Sequence, residues 1–283
     1  MIQSEDLPVA PVSEQMPTRV GVLAAARSIA EILPPTPLLP VEIGGVRCHV
    51  KAESLQPIGA FKIRGGWWRL ANLSDEERAR GVVAVSSGNH AQGVAWAARR
   101  LGIKATIVMP RNAPQVKLDA TRALGAEIVL YERPGEDRDE VAALLVEESG
   151  ATLVHAFGDP WVIEGQGSAG VEIASQLGQT PDRILVCCGG GGLAAGLQPD
   201  ATKPINLAVL KDRAEPSVTV TDAEIRAAQR FAFSNLNLVV EPGGAAALAA
   251  ALAGKVPPSE NSVIMVTGGN CDPARFAETL TSD

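Results

Sequence analysis

The chain has 283 residues, 46% of them hydrophobic and 20% charged, with a formal net charge of −7. This composition excludes a disordered chain, and the length allows two domains or one large one. The acidic balance argues against nucleic acid or an anionic membrane as the main partner, and one tyrosine, five Phe and four Trp leave no platform for stacking bases.

Residues 1–18 are acidic, contain prolines and lack the apolar core of a signal peptide, so a loose arm is expected. Val20–Leu33 has apolar residues at helical spacing, and Pro34, Pro35 and Pro37 stop it. Leu38–Glu53 reads as short strands around a Gly44-Gly45 turn. A helix is expected from Gly65 to Leu73, with Trp67 and Trp68 as core or subunit contacts. From Gly81 the pattern becomes strand, turn and helix in repetition. The expected strands are Val82–Val85, Lys104–Met109, Glu127–Tyr131 and Ala151–His155; the helices are Ala91–Leu101, Gln115–Leu124 and Asp137–Glu148. Such alternation gives a parallel sheet wrapped by helices, with ligands at the carboxyl ends of the strands. The Ser86–His90 turn therefore lies at a binding edge. A further strand, Ile184–Cys188, runs into four glycines and a helix opening at Leu193. Thr221 and Glu224 form a capping box, Glu241-Pro242-Gly243-Gly244 precedes the helix Ala245–Leu252, and the strand Ser262–Val266 ends in Thr267-Gly268-Gly269-Asn270. The alanine-rich run 243–254 is too short to span a bilayer. Cys48, Cys187, Cys188 and Cys271 show no CxxC spacing, and with His49, His90 and His155 they form no zinc pattern. Reduced thiols in a cytoplasmic protein are expected.

Two segments carry chemistry. The first, Ser54–Gly66, places Lys62 between Phe61 and Ile63. A buried lysine loses proton affinity and becomes an amine nucleophile and base that aldehydes trap. The alternative is a surface lysine whose stem covers apolar neighbours. The second is Gly189-Gly190-Gly191-Gly192, between a strand and a helix. Backbone without Cβ atoms can turn its N–H groups inward around a phosphate. The run is neither GxGxxG nor a P-loop, and four glycines exceed what a tight turn needs. An amine together with a phosphate cradle points to a phosphorylated aldehyde, pyridoxal phosphate.

With SSGNHAQG at 86–93, HAFGDPWVIEGQG at 155–167, GGGGL at 189–193, EPGGA at 241–245 and TGGN at 267–270, the chain resembles the fold-type-II, tryptophan synthase β-like pyridoxal-phosphate enzymes. It is most similar to their serine/threonine dehydratase and serine racemase branch. The resemblance implies a two-domain α/β fold of doubly wound parallel sheets with flanking helices. Residues 1–62 and 151–283 would form a large cofactor-binding domain and 63–150 a small one. It implies that Lys62 holds the cofactor as a Schiff base, beside Phe61, and later acts as the base at Cα. Gly189, Gly190, Gly191, Gly192 and Leu193 would bind the phosphate, Asn89 the ring 3′-oxygen, and Thr267 would face the ring nitrogen. Ser86, Ser87, Asn89 and His90 would take the substrate carboxylate.

Several alternatives stand beside these roles. His90 has the alternative of serving only its own turn, and Asn89 that of being there for conformation. Ser87 is a carboxylate contact in a dehydratase and a second catalytic base in a racemase. Arg138 is a solvated helix charge or a contact for a second carboxylate. The implied activity is dehydration of a β-hydroxy-α-amino acid, serine or threonine among them, to a 2-oxo acid and ammonia by a homodimer or homotetramer. The rivals are an amino-acid racemase and a non-catalytic phosphate-ligand binding protein. Phe157 is expected in the side-chain pocket. One departure stands out: only about twenty residues lie between Leu197 and Ser217, where the family carries a helix, a strand and an acidic cation site. Loss of a central strand would expose sheet and core, so residues absent from this segment are expected, and no metal ligand is assigned.

Overall fold

Gly44 and Gly45 both adopt positive φ, 60° and 78°, which a two-residue hairpin turn requires and which side chains resist. They join β1 (Leu38–Ile43) to β2 (Val46–Ala52) in antiparallel register, with Ile43 opposite Val46. The computed structural model describes residues 16–197, 214–215 and 217–281. β2 continues into a sheet by pairing in parallel with β8 (Ser262–Val266), and β8 pairs in parallel with β7 (Arg183–Leu185). The order is β1-β2-β8-β7.

A second sheet, β5-β4-β3-β6, is parallel throughout. Its strands are β3 (Val82–Val85), β4 (Ala105–Pro110), β5 (Glu127–Tyr131) and β6 (Thr152–Leu153). The crossovers are α4 (Asn89–Leu101), α5 (Gln115–Ala123) and α6 (Arg138–Ser149). The remaining helices are α1 (Arg19–Ala30), α2 (Lys62–Ala71), α3 (Asp75–Arg80), α7 (Pro160–Leu177), α8 (Gly192–Gly196), α9 (Asp222–Leu236), α10 (Pro242–Leu252) and α11 (Pro273–Thr281). Each sheet buries its own apolar face, Val82, Ile107 and Met109 in one and Val50, Ile264 and Val266 in the other. The α/β architecture of parallel sheets with flanking helices is the one expected. The capping box at Thr221 is formed, with Glu224 N donating to Thr221 Oγ1 and Thr221 N to Glu224 Oε2.

Several expectations need correction. α2 begins at Lys62, three residues before the expected start, although Gly65 and Gly66 are poor helix formers. Packing overrides propensity here: a Cβ on Gly66 would lie 2.6 Å from the Gly93 carbonyl oxygen, and one on Gly65 would lie 2.7 Å from that of Val162. These glycines let α2 touch α4 and α7 backbone to backbone. Asn89 and His90 belong to the first turn of α4 and not to the preceding turn. β6 and β7 are shorter than expected, and β6 pairs with β3, so the second sheet extends past residue 150. α3, α7 and α11 were not anticipated. Trp67 and Trp68 serve inside the chain, their indole nitrogens donating to Ser28 Oγ and Glu164 Oε2. The proline-rich stretch beginning at Gln198 lies outside the described residues, as does most of the arm at 1–18.

A charged cluster unforeseen from sequence anchors α2. Arg64 is fully buried and donates to both Glu53 carboxylate oxygens at 2.7 Å, to both Glu172 oxygens at 2.7 and 2.8 Å, and to Ser168 Oγ at 3.1 Å. Lys51, also buried, donates to Glu172, Gln176 and the Thr36 carbonyl. The cluster ties the first turn of α2 to the end of β2 and to α7.

Candidate active site

Lys62 is the first residue of α2, and its Nζ donates to the Ala156 carbonyl oxygen at 2.6 Å. It also lies 5.1 Å from the centroid of the Phe61 ring. Burial lowers its pKa to about 8, against a weaker opposing influence from Cys187. Removal from water disfavours the ammonium, so a far larger share is neutral amine at neutral pH than in an ordinary lysine. The surface-lysine alternative is set aside.

The carboxyl ends of β7 and β8 supply the floor. Thr267, 3% exposed, follows β8, and its Oγ1 lies 3.2 Å from Cys187 Sγ. The glycine run follows Cys188, and Gly191 takes φ 82° as it leads into α8. A Cβ on Gly190 would lie 2.3 Å from the Phe157 ring, and one on Gly192 would lie 2.9 Å from Phe157 Cα. The run therefore lies against the 155–158 segment, whose Ala156 carbonyl holds Lys62. One short stretch links the amine to the glycine cradle, which are 127 residues apart from Lys62 to Gly189 in sequence.

The end of β3 faces them. Ser86 Oγ accepts from Gly88 N at 3.1 Å, and Ser87 follows without a hydrogen bond to its hydroxyl among the described residues. Gly88 precedes α4, so the N–H groups of Asn89, His90 and Ala91 have no partner within that 13-residue helix. Such N–H groups suit a carboxylate. Asn89 Nδ2 donates to Glu241 Oε1, and Asn89 Oδ1 accepts from Asn270 Nδ2 at 2.7 Å. His90 is 2% exposed; its Nε2 contacts the Val154 carbonyl oxygen at 2.9 Å and its Nδ1 has no partner among the described residues. Burial and then the nearby Lys62 charge hold its pKa at about 3, so the ring is neutral. Arg138 is exposed beside Asp139.

A sequence profile of the family described as pyridoxal-phosphate dependent enzyme matches residues 29–198. The chain belongs to this family. The L-threo-3-hydroxyaspartate ammonia-lyase of Saccharomyces cerevisiae is 33% identical over 94% of this chain and 97% of its own length. That alignment runs over 317 positions, more than the whole of this chain, so the yeast protein has residues without a counterpart here. The crystal structure of T.th. threonine deaminase covers 90% of this chain and 99% of its own, at 35% identity and TM-score 0.81. Maize serine racemase covers 94% and 97%, at 30% identity and TM-score 0.86.

The residues present fit the family's cofactor. An amine of lowered pKa suits an aldehyde, side-chain-free backbone suits a phosphate, and a buried hydroxyl suits an aromatic ring nitrogen. Among the described residues there is no His/Cys/Asp/Glu cluster able to hold a metal ion and no helix long and apolar enough to cross a membrane.

Sequence reasoning missed three residues that the structure brings to this candidate site. Glu241 and Asn270 stood inside recognised motifs without a role, and Cys187 was read only as a strand residue. The pairing of Asn89 with both could not be seen, because the partners are 152 and 181 residues away. Cys187 gives a test of the floor. Bound cofactor is expected to shield it from alkylation, while the exposed Cys188 is labelled with or without cofactor. Peptide mass mapping reads both, and equal labelling of Cys187 in the two forms contradicts the placement.

Proposed function

We propose that this pyridoxal-phosphate-dependent enzyme is an ammonia-lyase converting a β-hydroxy-α-amino acid such as L-threonine or L-serine to a 2-oxo acid and ammonia. Pyridoxal phosphate, when bound, supplies an aldehyde for the substrate amino group and a conjugated ring that accepts the electron pair released at Cα. Lys62 Nζ is the base that takes the Cα proton, and its low pKa leaves a usable fraction unprotonated. The backbone N–H groups of Gly189, Gly190, Gly191, Gly192 and Leu193 receive the phosphate, and Phe61 packs beside the amine. Ser86, Ser87 and the free N–H groups of Asn89 and His90 hold the substrate carboxylate. Asn89 keeps one side-chain N–H for the ring 3′-oxygen.

The observation that carries the choice of reaction is Thr267. It would offer the ring nitrogen a hydroxyl, not a carboxylate, and a hydroxyl does not stabilise a protonated ring. Expulsion of a β-hydroxyl then relieves the electron pair at Cα sooner than transamination can. The hydroxyaspartate ammonia-lyase and threonine deaminase among the relatives support this reading.

A racemase is the second reading. It is favoured by the likeness to maize serine racemase and by the untied Ser87 hydroxyl, which would serve as second base. A substrate panel of L-serine, L-threonine and L-threo-3-hydroxyaspartate separates the two. Release of 2-oxo acid is expected; inversion at Cα without 2-oxo acid contradicts the lyase, and neither product favours a binding protein. We also assign the β1-β2-β8-β7 sheet to a large domain at 1–62 and 151–283, and the other sheet to a small domain centred on 63–150. A homodimer or homotetramer is proposed on the family resemblance, and a cytoplasmic location on the four free cysteines.

A further inference from the structure

Asn89 is gripped from both ends, and chemistry determines which end faces which partner. Asn270 Nδ2 donates to the Ile58 carbonyl oxygen at 2.9 Å, and a carbonyl only accepts, so the Asn270 nitrogen must lie on that side. The same nitrogen gives its second hydrogen to Asn89 Oδ1. That turns Asn89 Nδ2 toward Glu241 Oε1, an acceptor. The chain of constraints leaves one hydrogen on Asn89 Nδ2 without an assigned acceptor.

The surroundings are cut to admit this arrangement. A Cβ on Gly268 would lie 2.2 Å from Glu241 Oε1 and 3.0 Å from Asn89 Nδ2, and one on Gly59 would lie 2.5 Å from Asn270 Oδ1. Glu241 stands at the N-cap of α10, yet its side chain makes no capping hydrogen bond. Its carboxylate is spent on Asn89. Burial raises the Glu241 pKa, with the Asn89 hydrogen bond and Lys117 opposing, so the carboxylate sits there at a cost and not for its own hydration.

We propose that Glu241 and Asn270 are positioning residues that fix the Asn89 amide so that its remaining N–H meets the 3′-oxygen of the cofactor ring. The inference rests on the reading of Asn89 as the ring contact. An N–H held against that oxygen favours its ionised form. The pair therefore sets the balance between the visible and near-ultraviolet absorption bands of the bound cofactor, as well as its affinity.

The test compares Glu241→Ala, Glu241→Gln, Asn270→Ala and Asn89→Ala with the parent protein. The readouts are the spectrum of the bound cofactor, its dissociation constant and the melting temperature of the cofactor-free protein. Glu241→Ala and Asn89→Ala are expected to shift the two bands in the same direction and to weaken binding about tenfold, the scale of one lost hydrogen bond. Glu241→Gln keeps an oxygen acceptor and is expected to return the parent spectrum. If Asn89→Ala shifts the spectrum and Glu241→Ala does not, the proposal is overturned while the ring contact stands. A silent Asn89→Ala removes the ring contact itself, and the proposal with it. Should Glu241→Ala lower the melting temperature sharply, Asn270→Ala repeats the test from the other end of the amide, and a parent spectrum there overturns the proposal.

Discussion

Lys62→Ala is expected to lower turnover of L-threonine and L-serine by at least about 10³-fold, because it removes both the amine that takes up the aldehyde and the base at Cα. The fold should survive. Among the described residues the side chain makes a single hydrogen bond, to the Ala156 carbonyl, and the close approach of α4 uses the Lys62 backbone, whose carbonyl would lie 2.7 Å from a Cβ on Gly93. Stability should even improve near neutral pH. The folded amine has a pKa of about 8, below that of the unfolded chain, so the unfolded state binds more protons between the two values. Lysine therefore penalises the fold fully below about pH 8, and the penalty fades as pH rises toward the ordinary lysine value, about 10.4. A site that keeps a destabilising amine buried is one where function outweighs stability. Kinetics and thermal melting of one preparation check both halves. Retained turnover contradicts the mechanism, and a large drop in melting temperature contradicts the stability argument.

Arg64→Met is expected to destabilise the protein by about 3–5 kcal/mol, the scale on which breaking a buried ion pair leaves a buried charge uncompensated. Two residues beyond Lys62 on α2, Arg64 is the shared partner of Glu53 and Glu172. Burial alone would raise the Glu53 pKa, but the charge and hydrogen bonds of Arg64, with help from Thr36, bring it below the ordinary carboxylate value. Its folded pKa thus lies under its unfolded one. The stability it contributes is present above the unfolded value and is lost as pH falls through the folded value. Acid unfolding of the parent should report this loss, and Arg64→Met should abolish its Glu53 component. The double variant Glu53→Leu, Arg64→Met should be less damaging than Arg64→Met alone, since it removes both charges together. Denaturant unfolding measures all three, and a change under about 1 kcal/mol for Arg64→Met would show that the cluster does not anchor α2.

Local patterns carried much of the fold. β3, β5 and β8 coincide with their expected spans because each is a short apolar run bounded by turn residues. The helix bearing Lys62 starts earlier than its pattern suggests because Gly65 and Gly66 mask it, and those residues make sense only once α4 and α7 are packed against them. α7 is hidden for the same reason: Gly165 and Gly167 interrupt its periodicity to admit close neighbours. In the site, Lys62 and the glycine run were legible as chemistry, since an apolar setting and missing side chains are visible in one dimension, whereas Thr267 entered only through the family resemblance. What holds them was not. Arg64 meets partners 11 and 108 residues away, and the two partners of Asn89 are farther still. Hydrogen-bond pairing over such spans leaves no periodic trace in a single sequence.

The most direct measurement is borohydride reduction of the cofactor-loaded protein followed by peptide mapping. Reduction locks the cofactor onto whichever nitrogen holds it. The pyridoxyl group is expected on the peptide containing Lys62, with the Lys51 peptide unmodified because its Nζ is committed to Glu172 and Gln176. A pyridoxyl group on any other lysine, or on none, would contradict the account.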